Sequence, residues 1–573
     1  MKKFSFLLVL LCFTAIHSVF SNGEMCLGGE TGEAEYNTCQ HQDDYKMAFS
    51  DPALANLILK ELDIFEPHYG TFTPSWGDKN YQKPFLGLTS DDEYCNKQRA
   101  YWTQNPSYVF TQNNYMSSYG PTHFARRFAI DQIATNVMPN IQFKKNYTDP
   151  PVDISPEVML FITGSTMHNR RHLMKQFSCM AQMSNHIAGH SSLYQKDLIA
   201  LGSNEYYKGY ETRKQCIKQF FPTTYVLSNK EQCQQFFNII DSDEYKQLKK
   251  EHNIVYISKI VGMHAGSGVT PMDEKEELNV RTIYANGKKC GEDERRMLVQ
   301  SFVRNPMLIN GKKSDFRLYM LVASTNPFIV FYHDGYFRIS FTDYDPHSTE
   351  KSSLVTNSAI SPELHEAKET GMYNGRTYQE LKEEQSWLFE KLQAYLLEKG
   401  MITDQNWVDN YLRPECKKAM IHLIRASQKN FIKRSTVFEL FGVDFMLDDQ
   451  LNLWFIEANA MPGLSEKNEI LSKFEGQMLR DEFDIIFRLL RSRMKRIFNY
   501  VSRVIARGDA VRIGEDKVEI KDLQAHIEEF REISKNRFEP EYEPLADSTF
   551  TKIIDENYSG TQRYSGLLSE ECL

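Results

Sequence analysis

The chain has 573 residues, 41% hydrophobic and 25% charged, a balance that fits several globular domains with ample core. A formal net charge of −9 excludes a general nucleic-acid binder. It also gives no broad positive field for an acidic partner, so any such contact must be local.

From the start, Met1-Lys2-Lys3 is basic, Phe4 to Ile16 is apolar, and Val19-Phe20-Ser21 offers small residues before Asn22. That layout predicts a secretory signal peptide over 1–21. The run is short of the roughly 20 apolar residues a membrane span needs, and no later stretch supplies one. Cutting the signal would leave nine of the ten cysteines, so at least one stays unpaired or pairs between chains. Cys26 with Cys39 and Cys216 with Cys233 are candidate disulfides. No paired CxxC spacing exists, so no zinc site is expected. Asn146-Tyr147-Thr148 and Asn557-Tyr558-Ser559 are glycosylation sequons.

Residues 22–150 carry no chemical motif. Val158 to Ile162 reads as a short buried strand, and Asn253 to Val261 as a β-branched one. Met272 to Arg296 is highly charged with little apolar patterning, which predicts a mobile loop. Leu298 to Val303, Ser314 to Ser324 and Phe328 to Phe341 read as strands, and 378–430 as helical. Phe438 to Leu447 and Leu451 to Ala458 form a hairpin around Asp448-Asp449-Gln450. Residues 482–507 are helical and basic, and the remainder reads as polar and loosely ordered.

The hairpin carries the strongest local signal. Asp444 and Glu457 are acids inside apolar strands, where an unpaired carboxylate is costly. Folding about Asp449-Gln450 sets Asp444 opposite Phe455, with Glu457 diagonal on the same face and Asn459 continuing it. Two carboxylates and an amide suit magnesium; arginine or backbone partners would satisfy the acids equally well. A second motif, Lys259 followed by Gly266-Ser267-Gly268, pairs a strand lysine with a turn that lets backbone N–H groups approach phosphates. A third places Lys313, Asp315 and Arg317 on one strand face, with Arg338 close by. An arginine fork there suits a phosphate.

In this order the motifs resemble the tubulin-tyrosine-ligase-like family of the ATP-grasp superfamily. The family's lysine and glycine spacing fits Lys259, Gly266 and Gly268. Its "Q-x-[YF]-[IV]-x-x-P-x-L-I-x-G-x-K-x-D-x-R" block fits Gln300 to Arg317. "F-E-L-F-G-x-D-F-M" and "W-x-I-E-x-N-x-x-P-x-L" fit Phe438 to Met446 and Trp454 to Leu464. Asn185-His186 with Lys196-Asp197-Leu198 resembles "N-H-F-P-G … R-K-D-x-L". Departures include Ser301 where the family often has Lys, and Gln195 where it has Arg.

The resemblance implies an α+β chain. An N-terminal extension (22–150) and an α/β domain (151–228) would precede ATP-grasp subdomains over 229–303 and 304–470 and a helical extension over 471–573. It implies ATP and Mg2+ as cofactors. Lys259, the Gly266–Gly268 turn, Lys313, Asp315, Thr356 and Asn357 would hold the nucleotide. Gln300, Ser301, Phe302 and Val303 would line the adenine, and Asp444, Glu457 and Asn459 would hold the metal. Arg317, Arg338 and Lys196 would serve catalysis. The implied reaction is ATP-dependent ligation of an amino acid, by expectation glutamate, to an acidic protein tail through an acyl-phosphate. Glycine, tyrosine or a catalytically inactive microtubule-binding module are the alternatives. Tubulin, in a cytoskeletal or ciliary setting, is the acceptor the family implies; a real signal peptide implies a secretory-pathway or extracellular one. The acid-free run Arg488, Arg491, Arg493, Lys495, Arg496, Arg503, Arg507 is either a solvated helix face or an acceptor patch.

Overall fold

A computed structural model of the chain describes most of residues 179–557. It also describes 48–63, 93–106 and five short strands between 25 and 163. The expected signal peptide, Asn146, Cys39 and Cys216 lie outside the described residues. Among the described residues, no helix is long and apolar enough to cross a membrane.

Two N-terminal helices, α1 (Pro52–Leu62) and α2 (Glu93–Gln104), precede a parallel sheet. That sheet holds β1 (Tyr115–Tyr119), β2 (Gln142–Lys145), β3 (Val158–Thr163) and β4 (Met183–Ser184) in the order β2-β1-β3-β4. Strand pairing thus runs across residue 150. Helix α3 (Lys196–Glu211) follows. A small antiparallel sheet comes next, with β5 (Thr224–Val226), β6 (Tyr256–Ile260), β7 (Val269–Pro271) and β8 (Met297–Ser301) ordered β5-β8-β6-β7. Its apolar face is covered by α4 (Lys230–Ile240) through Phe236, Phe237 and Ile240.

The segment expected to be a mobile loop contains helix α5 (Glu274–Ile283) instead. The Asp273 carboxylate accepts the Glu276 N–H at 2.8 Å, and acids fill the first turn, both favourable at a helix N-terminus. Only Val280 is buried in α5, so the apolar stripe is too thin to show as periodicity. A Cys233–Cys290 disulfide fastens the turn beyond it to α4, which overturns the expected Cys216–Cys233 pair. Cys95–Cys179 joins α2 to the approach to β4. Closing loops of 57 and 84 residues removes unfolded-state entropy worth about 4 kcal/mol each in the chain-entropy picture.

The large sheet is built on β9 (Lys312–Thr325), β10 (Phe328–Asp343), β11 (Ser386–Trp387), β12 (Glu439–Leu447) and β13 (Leu453–Asn459), ordered β11-β10-β9-β12-β13. Tyr319, Leu321 and Ala323 of β9 enter one core and Leu318, Met320 and Val322 the other. Burial on both faces explains why these strands read as continuous apolar runs. Helix α6 (Arg413–Ser427) covers one face; the long α7 (Glu469–Arg507) packs on the other together with α1.

The first part of the basic run on α7 is internal, while Arg503 and Arg507 are exposed. Arg488, Arg491 and Arg493 are buried. Arg488 pairs with Asp484 at 2.7 Å. Arg493 donates to the carbonyls of Met180 and Gln182 at 3.2 and 3.3 Å, tying α7 to the N-terminal region. The tail expected to be loosely ordered is folded as far as residue 557. Helix α8 (Leu523–Ile533) buries Ile527 and Phe530, and β14 (Thr551–Asp555) pairs with β10. Each apolar stripe there is two residues wide, too short to stand out in an acidic background.

Between β9 and β10 the backbones approach closely at Gly335, where a Cβ would sit 1.5 Å from the Arg317 carbonyl oxygen. Gly335→Ala should force the two strands apart and cost about 3 kcal/mol, read as a lowered Tm in thermal denaturation.

Candidate active site

A cleft opens between the small sheet and the large one. Every described residue of the expected site lines it: Lys196, Lys259, Gly266, Gly268, Gln300, Ser301, Phe302, Val303, Lys313, Asp315, Arg317, Arg338, Thr356, Asp444, Glu457 and Asn459. Ser267 and Asn357 lie outside the described residues.

Asp444 is at the centre. It sits directly opposite Arg317 on β9 and Glu457 on β13. The hairpin register differs from the expected one because a bulge between Asp444 and Phe445 inserts an extra residue, Ile456, on β13. The added residue turns the diagonal pair into a facing pair. Arg317 grips Asp444 bidentately, with Nε and Nη2 each 2.8 Å from a carboxylate oxygen. Arg338 adds a third contact at 3.0 Å. Burial pushes the Asp444 carboxyl up, but the two guanidinium groups outweigh it and hold it at about 2. Three arginine contacts thus satisfy this acid in the structure. Arg338 also binds Asp315 at 2.6 Å, and Thr356 donates its hydroxyl to the other Asp315 oxygen. Gly442 makes room for the arginine: a Cβ there would lie 3.2 Å from Arg317 Nε.

Glu457 faces Lys196, whose Nζ is 2.9 Å away, and accepts from the Asn459 amide at 3.4 Å. Burial raises this carboxyl, Asp444 adds to that, and Lys196 and Lys259 bring it below its ordinary range. Lys196 is the first residue of α3, and two features missed in the sequence hold it and the segment leading to it. Arg296 donates to Asp197 at 2.6 Å and to Gln195 Oε1 at 2.9 Å, gripping both neighbours of Lys196. Glu439, buried at the start of β12, lies 2.9 Å from His186 Nδ1 and 2.6 Å from His190 Nδ1, and accepts the Ile187 N–H at 3.0 Å. An acid opening an apolar strand was the available signal for Glu439. Arg296 adjoined a charged segment and offered none.

Two buried lysines complete the cleft with neutral partners. Lys259 Nζ donates to Gln300 Oε1 at 2.7 Å, while the Gln300 amide donates to Thr224 at 2.9 Å. Lys313 Nζ donates to the Leu354 carbonyl at 2.9 Å and stands 4.6 Å from the Phe302 ring centre. Burial brings both ammonium groups down to about 8, against the pull of Glu457 on Lys259 and of Asp315 on Lys313. Among the described lining residues there are five cations (Lys196, Lys259, Lys313, Arg317, Arg338) and three anions (Asp315, Asp444, Glu457), an excess of two positive charges. A buried excess of that sign is built for an anion. Gly268 closes the rim, since a Cβ there would meet Met263 at 2.5 Å.

The family model for the tubulin-tyrosine ligase family matches residues 173–497, more than half of the chain. The chain belongs to the tubulin-tyrosine ligase family. It is 26% identical over 294 residues to the inactive polyglycylase TTLL10 of Homo sapiens, covering 49% of this chain and 40% of that protein. It is 29% identical over 274 residues to the protein polyglycylase TTLL10 of Mus musculus (46% and 36%). It is 30% identical over 234 residues to the tubulin glycylase 3A of Drosophila melanogaster (40% and 22%). The chain thus spans two fifths or less of the length of these curated relatives.

The charge excess has a pH signature. In the folded chain both lysines titrate at about 8, below their ordinary 10.5. Below about 8 both are charged, and holding that charge buried opposes folding. As pH rises from there toward 10.5 the folded chain releases these protons first, so their contribution to stability improves. Anion binding needs the charged forms and moves the other way. Tripolyphosphate affinity, measured by calorimetry, should fall about tenfold or more between pH 7 and 9, with no matching fall in Tm from these two groups.

Proposed function

We propose that this chain is an ATP-dependent ligase that joins glycine to glutamate side chains of an acceptor protein, on an ATP-grasp arrangement of its two sheets. The observation that carries this reading is the cleft itself: two buried lysines without carboxylate partners, beside an arginine pair on a carboxylate. ATP is the anion such a cleft fits. Lys259 and Lys313 would contact its phosphates as point charges, and Gln300 to Val303 would run along the base. Arg317 and Arg338 would face the transferred phosphoryl group.

The donor set fits magnesium in kind, being carboxylate and amide oxygen. Glu457 and Asn459 would hold it. Asp444 would add the lone pair left after its three arginine contacts, since a carboxylate offers about four such sites. Bound there, the ion would neutralise phosphate charge. The γ-phosphoryl group of ATP passes to an acceptor carboxylate oxygen, breaking the bridging P–O bond and releasing ADP. The glycine amine then attacks the acyl carbon, the bond to phosphate breaks, and the amine gives up a proton. The chain's work is positioning and charge stabilisation. Lys196, whose neighbours Gln195 and Asp197 are gripped by Arg296, holds Glu457 in place.

Glycine replaces the glutamate expected from the sequence on two grounds. The relatives above are named glycylases or polyglycylases. In addition, among the described lining residues Arg317, Arg338 and Lys196 are engaged by Asp444, Asp315 and Glu457. With Arg317 and Arg338 also facing the phosphoryl group and the two lysines the phosphates, no cation among the described lining residues is left for the side-chain carboxylate of an incoming glutamate. The acceptor class is a glutamate-bearing protein segment; the fly relative's name gives tubulin as a precedent.

Incubating the full chain with ATP, magnesium, a glutamate-rich peptide and labelled glycine, glutamate or tyrosine tests this. Glycine should be incorporated, and Glu457→Gln should lower its rate about 100-fold or more. Faster incorporation of glutamate would sink the choice of amino acid. Nucleotide binding with no incorporation of any of the three would favour a catalytically inactive module, as the human relative's name describes that protein.

A further inference from the structure

We propose that this chain is oxidised as it folds, that Cys95–Cys179 and Cys233–Cys290 are permanent cross-links, and that it matures and acts in an oxidising compartment on an acceptor exposed there. The acceptor half rests on the ligase reading; the oxidised state does not.

Four cysteines from four places in the fold fall into two bonded pairs, 84 and 57 residues apart in sequence. Nothing local in the chain brings either pair together. All four are buried. The free cysteine among the described residues is Cys416, fully buried in the core on α6. Burial pushes its thiol well above the ordinary range, so it is a poor nucleophile for exchange. Among the described residues this is the pattern of a chain made where thiols are oxidised: both pairs are closed and the one free thiol described is shielded. Reducing compartments keep such pairs as thiols.

The placement of the bridges marks them as fasteners rather than a switch. Neither lines the cleft. One ties α2 to the approach to β4; the other ties down the turn after α5, a helix with one buried residue. An independent surface feature agrees. Asn557, first residue of a sequon, is exposed just past β14. Its amide donates one N–H to the Asn536 carbonyl at 3.0 Å, which leaves the other for an N-linked glycan. Each bridge forms by thiol–disulfide exchange: two thiols of this chain give up two protons and two electrons to a disulfide of the compartment's oxidoreductase, which leaves as a dithiol.

The test starts with full-length protein from the cells that make it, alkylated before any reductant is added, then digested and mapped by mass spectrometry. Linked Cys95–Cys179 and Cys233–Cys290 peptides are expected, with a glycosidase-sensitive mass at Asn557. Alkylation of all four cysteines without reduction would overturn the proposal. Dithiothreitol should lower the wild-type Tm by about 5 °C or more and leave a variant with all four cysteines changed to Ala unmoved; equal melting of the wild type with and without reductant counts against the cross-links. Glycine label should appear on lumenal or exported proteins, and label confined to cytosolic proteins would overturn the acceptor. Mapped bridges with no label anywhere would support the oxidised state and reject the ligase reading instead.

Discussion

The buried carboxylate of Asp444, gripped by Arg317 and Arg338, is the constraint on which the rest of the site depends. It joins three adjacent strands, β10, β9 and β12, through side chains rather than backbone. Taking three charges out of water costs several kcal/mol per ion, and close, well-aligned partners must offset it. The geometry that meets this demand also points two arginines into the cleft. Removing Asp444 would leave both without their shared counter-charge, so the acid is as much a positioning element as a prospective metal ligand.

The surrounding structure holds that cluster still. The bulge after Asp444 brings Glu457 opposite it, and Glu457 in turn receives Lys196 from a helix belonging to the N-terminal part of the chain. That helix is fixed at its start by Arg296, and the segment before it by the buried histidine pair on Glu439. Arg493 of α7 binds the same N-terminal region from the far side of the sheet. Parts distant in sequence therefore converge on the cleft, and Arg488 and Arg493, which read as surface charge on α7, are internal fasteners.

Much of the site was legible because its chemistry is local: Lys259 with its glycines, Lys313 to Arg317 on one strand face, and acids stranded in an apolar hairpin each show in a few consecutive residues. The cores of β9, β10 and β12 were legible for the same reason, since strands buried on both faces are unbroken apolar runs. What escaped depended on long-range pairing. The exact facing of Asp444 and Glu457 turned on a single inserted residue. Helix α5 and the folded tail to residue 557 have stripes of one or two apolar residues and owe their order to capping, strand addition and a disulfide. The partner of Cys233 lies 57 residues away, beyond any spacing rule.

A cleft with two more cations than anions should bind nucleotides in proportion to their phosphates. Calorimetric titration of the full chain with ATP, ADP and AMP in the presence of magnesium measures this most directly. The affinity should rise with each added phosphate, and ATP should bind at least about 100-fold more tightly than AMP, a difference of about 2.7 kcal/mol. Equal affinity for AMP and ATP, or no ATP binding at all, would contradict a phosphate-holding site built on Lys259, Lys313 and the Asp444 arginine pair.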